Sequence, residues 1–153
     1  MANATTDRSE LRTVVVEREI GCAPEKLWRA LTQPHLIEEW LMKNDFQPVV
    51  GHCFSFRSTP QPHWNGVVEG EVLEVEPNKR LSYTWHASYA QGVTGLRTVV
   101  TWTLTATKSG TLVRMEQSGF WPEDENGYRG ASYGWQQIIS NLPVNSRNWS
   151  AFV

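Results

Sequence analysis

Four polar side chains share strand parity with apolar neighbours, so an alternating strand would turn them toward an interior: Arg18 with Val16 and Ile20, Glu71 with Leu73 and Val75, Tyr83 with Leu81 and Trp85, and Gln117 with Val113 and Met115. Catalysis requires a nucleophile beside a base, or an acid and a base held against a substrate, and these four are the residues that could supply it. An inward Arg18 would need a carboxylate or an anionic ligand, whereas at a strand end it could equally pair on the surface. The parity of Glu69 and Glu71 with Leu73 and Val75 sets two carboxylates over an interior mouth, unless a bulge near Gly70 turns them out. Gln117 can donate and accept at once, which suits it either to fix a polar group of a ligand or to be satisfied by a neighbour.

Other reactive patterns are missing. The sequence has no Gly-x-Ser-x-Gly elbow, no Walker loop and no dinucleotide fingerprint, so no cofactor is expected. His35, His52, His63 and Cys53 lack zinc-ligand spacing, and only His52 shares the Phe54 face, so no metal site is expected either.

The aromatic load is heavy: eight Trp, five Phe and four Tyr. Trp28, Trp40, Phe54, Phe56, Tyr83, Trp85, Trp102 and Trp135, with Val100, Met115 and Ile139 on the same inward faces, form the candidate lining of a ligand cavity. Each of them taken singly could also be core.

These side chains need elements to hold them. Leu11 to Ile20 is rich in Val and Thr and reads as a strand ending at Gly21. Pro24 opens a short helix through Thr32 with Leu27, Trp28 and Leu31 at helical spacing, and Pro34 opens a second with Leu36, Ile37 and Trp40 or Leu41. From Asp45 to Ser118, period-2 segments alternate with turn chemistry at Val50-Gly51, Pro60 to Gly66, Pro77-Asn78, Gln91-Gly92 and Lys108 to Gly110, predicting an antiparallel meander of about six strands. Its inward faces are Phe54 and Phe56; Leu81, Tyr83, Trp85 and Ala87; Leu96, Thr98, Val100, Trp102 and Leu104; and Val113, Met115 and Gln117, while His86 falls on the outer face. Glu123, Asp124 and Glu125 precede a helix carrying Trp135, Ile138, Ile139 and Leu142 at i, i+3, i+4 and i+7, which ends before Pro143. The fold class is therefore α+β: about seven curved antiparallel strands, two short helices and a long C-terminal helix. One domain spans 11–142, after a disordered 1–10 and before a tail, 143–153, of undetermined structure.

The 153 residues carry a net charge of -2 with both signs interleaved, which argues against a nucleic-acid surface. Two cysteines outside any CxxC pair, no signal-peptide pattern and no apolar run long enough to span a bilayer point to a cytoplasmic protein with no membrane partner. Monomer and homodimer both remain open.

The order of elements resembles the SRPBCC, or START-like, helix-grip superfamily, which includes lipid carriers and the birch-pollen-allergen type. The stretch from Val16 to Thr32 resembles the opening of the family related to the C-terminal domain of the Hsp90 ATPase activator. Glu71 to Trp85, Thr101 to Leu104, Gly110-Thr111, Ser118 to Phe120 and Gly134-Trp135 resemble that family in the same order, over roughly Val14 to Leu142. Two departures stand out: the family commonly has His where Gln117 stands, and its last helix continues past the position of Pro143. The resemblance implies a cavity for a small hydrophobic or aromatic molecule, with chaperone-ATPase activation and a polyketide-cyclase-like reaction as alternatives. In that last case Arg18, Glu71, Tyr83 and Gln117 would mainly position a reactive chain.

Overall fold

The computed structural model describes residues 11–62, 64–89, 95–122 and 124–142. The segments 1–10 and 143–153 and the Gln91-Gly92 turn lie outside the described residues.

Strand β1 (Arg12–Ile20) buries Val14, Val16 and Ile20 and leaves Thr13, Val15, Glu17 and Glu19 exposed, as period-2 patterning requires. Helices α1 (Pro24–Thr32) and α2 (Pro34–Trp40) both begin on proline, where the missing N–H costs no helical hydrogen bond, and they bury Leu27, Leu31, Leu36, Ile37 and Trp40. The meander then runs β2 (Lys43–Asn44), β3 (Cys53–Arg57), β4 (Trp64–Glu76), β5 (Arg80–Tyr89), β6 (Leu96–Ala106) and β7 (Thr111–Phe120), followed by α3 (Glu125–Ser140). All seven strands form one antiparallel sheet in the order β1-β7-β6-β5-β4-β3-β2. The expected α+β helix-grip arrangement, a curved sheet with two short helices and a long final one, is what forms. Leu81, Tyr83, Trp85 and Ala87, and Thr98, Val100, Trp102 and Leu104, are buried, as their parity predicts. No helix among the described residues is long and apolar enough to cross a membrane.

Strand β4 departs from simple alternation. Its buried residues are Gly66, Val68 and Val72, so Glu69 and Glu71 lie on the exposed outer face and not over an interior mouth. A register shift between Val72 and Glu74, rather than at Gly70, then changes which parity faces in: Leu73 is 40% exposed while Val75 packs against the core. Gly70 is on the inner parity, and its missing side chain is replaced by the Phe54 ring; a Cβ there would come within 2.5 Å of that ring and 2.2 Å of the Thr84 carbonyl. The strand also begins earlier than its turn chemistry suggests. Trp64 is its first residue, and Gly66 takes up a φ of 83° at an irregularity between Trp64 and Val68.

Helix α3 is fastened at its start. Asp124 accepts from the Gly127 N–H as an N-cap. Arg12 of β1 reaches across to the Glu125 carboxylate and the Pro122 carbonyl, with its guanidinium 4.5 Å from the centre of the Tyr128 ring. Arg129 also donates to Glu125 at 2.7 Å. These hydrogen bonds, Arg12 first, hold the Glu125 carboxyl below its ordinary range. A lowered carboxyl stabilises the fold above its ordinary titration range and loses that contribution as pH falls through the lowered value. Melting temperatures recorded from pH 7 to pH 3 should therefore fall less in Arg12→Ala than in wild type, relative to each protein's value at neutral pH.

Candidate functional site

A cavity of about 970 Å³ lies between α3 and the sheet. Its sheet wall is Trp64 and Val68 from β4, Trp85 and Ala87 from β5, Leu96 at the start of β6 and Gln117 from β7. Helix α3 supplies Asn126, Gly127, Gly130, Ala131, Gly134, Trp135 and Ile138, and Met42, Pro62 and Asp124 complete the boundary. The lining is mainly apolar and the volume suits a small organic molecule. Asp124, already engaged as the α3 cap, is the ionisable side chain among the described lining residues.

The cavity floor carries a directed chain of hydrogen bonds. The Trp135 indole Nε1–H donates to Gln117 Oε1 at 2.7 Å, Gln117 Nε2 donates to Thr98 Oγ1 at 2.8 Å, and the Thr98 hydroxyl donates to the Trp85 carbonyl at 3.0 Å. Gln117 and Thr98 are each 1% exposed. A buried chain of this kind fixes the Trp135 rotamer and ties it, through Gln117 and Thr98, to the β5 backbone at Trp85.

Behind this wall the aromatic side chains pack edge to face. Trp135 meets Trp85 at 5.3 Å and Trp102 at 5.7 Å between ring centroids, and Trp102 meets Trp40 at 5.7 Å. Trp85 meets Phe56, and Phe46, Phe54, Phe56 and Tyr83 form a second cluster. The Trp102 indole donates to the Tyr83 hydroxyl at 2.9 Å. Burial raises the Tyr83 phenol far above its ordinary value, outweighing the opposite effect of that hydrogen bond, so Tyr83 stays protonated at neutral pH.

Of the residues singled out by sequence, Trp85, Gln117 and Trp135 line the cavity. Trp40, Phe54, Phe56, Tyr83, Val100, Trp102, Met115 and Ile139 are buried in the core outside that lining. Trp28 is half-buried on α1 at the edge of the core, and Arg18 is half-exposed on β1 opposite Val113. The four polar residues that could have formed a reactive constellation are thus dispersed: Glu71 lies on the outer face, Tyr83 in the aromatic core and Arg18 on β1, leaving Gln117 at the cavity. His86 is half-buried on the outer face; burial first, then Arg97, lowers its pKa against the opposing effect of Glu69. Cys22 and Cys53 are free thiols, and burial raises the Cys22 thiol above its ordinary value despite Lys26 nearby. Among the described residues no group of three or more His, Cys, Asp or Glu side chains could hold a metal ion.

Sequence reasoning missed Trp64, which it placed in a turn, and the small-residue face of α3. Gly127, Gly130, Ala131 and Gly134 stand at i, i+3, i+4 and i+7, a helical spacing that a search for large apolar residues passes over. It also missed Phe46, which is 1% exposed within the second aromatic cluster.

The family described as Activator of Hsp90 ATPase homolog 1-like protein matches residues 22–145. The chain belongs to that family. Solved structures similar to this Activator of Hsp90 ATPase homolog 1-like chain include protein MLL2253 from Mesorhizobium loti, 60% identical, with a TM-score of 0.79 over 86% of this chain and 93% of that one. DynU16, from the dynemicin biosynthetic locus, is 22% identical with a TM-score of 0.70, over 92% of this chain and 48% of that one. CalU16 from Micromonospora echinospora is 22% identical with a TM-score of 0.68, over 86% of this chain and 74% of that one. The last two likenesses concern the fold alone. No curated protein matches the sequence.

Proposed function

We propose that this member of the Activator of Hsp90 ATPase homolog 1-like family binds a small, largely apolar or aromatic molecule between α3 and the sheet. The observation that carries this reading is the cavity of about 970 Å³, mainly apolar, with a single buried amide at its floor. Trp85 and Trp135 offer ring surface, and Gln117 is the polar anchor. Trp64, Ala131 and Ile138 add apolar contact at the same wall.

Native mass spectrometry of the purified protein, followed by tryptophan-fluorescence titration with aromatic acids, fatty acids and polyketide-like compounds, tests the proposal. A saturable change in emission is expected for at least one class, reduced in Trp85→Phe because that indole faces the ligand. If nothing co-purifies and no compound alters emission or melting temperature, the cavity is not a binding site. Turnover of a bound compound without added cofactor would instead make the same cavity an active site.

The family's description supports a second reading, an interaction with a chaperone ATPase through the outer surface. Exposed Val49, Val50 and Leu73 would be candidate contacts, since the loop holding the first two is joined to β4 by the hydrogen bond from Gly51 N–H to the Val72 carbonyl. Stimulation of Hsp90 ATPase activity by the purified chain would be its signature.

A further inference from the structure

We infer that the floor of the cavity is built as a hydrogen-bond donor, so that the ligand must bring an acceptor oxygen or nitrogen to Gln117. The inference rests on the binding reading above and deepens it.

The orientation of the Gln117 amide is forced by its neighbours. An indole N–H can only donate, so the group facing Trp135 Nε1 at 2.7 Å must be the amide oxygen. The amide nitrogen then faces Thr98 Oγ1 at 2.8 Å, and this is consistent because the Thr98 hydroxyl spends its own proton on the Trp85 carbonyl. Turning the amide over would set two donors against each other at Trp135 and would require Thr98 to abandon that carbonyl. Donation therefore runs one way, from Trp135 through Gln117 and Thr98 to Trp85.

One N–H of Gln117 remains. The residue is 1% exposed, it lines the cavity, and this proton has no acceptor among the described residues. A buried N–H tolerates lack of a partner less well than the second lone pair of a carbonyl does. Solvent can meet the demand in the free cavity, but a ligand that displaces solvent inherits it. A ligand whose polar group is a donor would find at most the second lone pair of Gln117 Oε1 and would strand the N–H. The other polar side chains at the boundary do not offer a buried alternative: Asp124 caps Gly127 and Asn126 is exposed. Gln117 thus sets specificity, and Trp135, by pinning Oε1, is its positioning residue.

Fluorenone, carbazole and fluorene share one tricyclic frame and carry an acceptor, a donor and neither, respectively. Dissociation constants measured by calorimetry on the full chain should rank fluorenone on the order of tenfold tighter than the other two, the scale of one satisfied buried hydrogen bond. Gln117→Met should remove the preference, since it keeps length and apolar contact but has no donor. Trp135→Phe should bring the fluorenone to carbazole ratio toward one, because Gln117 Oε1, no longer occupied by the indole N–H, can then accept from a donor ligand. This second variant keeps the test decisive if Gln117→Met does not fold. Equal binding of all three by wild type, or a fluorenone preference that survives in the variants, overturns the donor inference while leaving the cavity reading intact. If wild type binds none of the three, the cavity reading fails and the donor inference with it.

Discussion

Trp102→Ala should destabilise the protein by about 3–5 kcal/mol, the range for deleting a large buried aromatic side chain, and lower the melting temperature by on the order of 10 °C. Trp102 is 0% exposed and stands between Trp40 and Trp135, with its indole N–H on the Tyr83 hydroxyl. Removing it opens a void beneath the cavity wall and withdraws the indole that donates to that hydroxyl. Tyr83→Phe probes the polar half alone: it strands the Trp102 N–H and should cost about 1–3 kcal/mol. Urea denaturation of both variants separates packing from hydrogen bonding. A loss below about 1 kcal/mol for Trp102→Ala would mean that this indole faces open space and acts as ligand surface, not as core.

Gly134→Leu, alone and with Gly130→Leu, should reduce ligand affinity on the order of a hundredfold while leaving the fold as stable as wild type or more so. Both glycines lie inside α3, where glycine is about 1 kcal/mol less favourable than a good helix former. Yet a Cβ built at either would meet nothing within 4 Å. Neighbouring Gly127 has a packing reason, since a Cβ there would come within 2.7 Å of the Asp124 carboxylate that caps the helix. No protein contact explains Gly130 and Gly134; the space they leave belongs to the cavity, which both of them line. Leucine would fill that space and displace the ligand, while the helix gains from the exchange. Thermal melting and titration on the same samples read the two opposite effects. Affinity within twofold of wild type in the double variant would place the ligand elsewhere.

The fold was legible because its signals are local. Pro24 and Pro34 mark helix starts, and the paired inner faces of β5, β6 and β7 follow period 2 as far as Gln117. The facing of Glu69 and Glu71 on β4 stayed open in the sequence because alternation is counted residue by residue and a register shift is not written in residue type. The shift at Val72–Glu74 accompanies the fit of Phe54 over Gly70 and of Val75 against the core, contacts that a residue-by-residue count does not contain. The site was legible only in part for a similar reason. Trp85 and Trp102 carry the same chemical signal and both sit on inner faces; the placement of α3 decides that the first lines a cavity and the second does not. The open space beside that helix depends on glycines, which are silent in a hydrophobic pattern. Gln117 was legible as an inward amide, but the direction in which it points its donor becomes readable only once Trp135 and Thr98 are beside it.

The pairing of β1 with β7 has a kinetic consequence. Ile20 pairs with Thr111 and Thr13 with Ser118, and Arg12 clasps Glu125, so the first strand closes only on the far end of the meander and the helix beyond it. Such long-range closure is entropically costly and slows folding relative to chains of local contacts. The cavity has α3 as one wall and strands β4 to β7 as the other, so it exists only once α3 has docked on the sheet. A small molecule that recognises it has no binding site on the chain before that docking. It would act on the unfolding side, lengthening the lifetime of the docked helix rather than hastening its arrival.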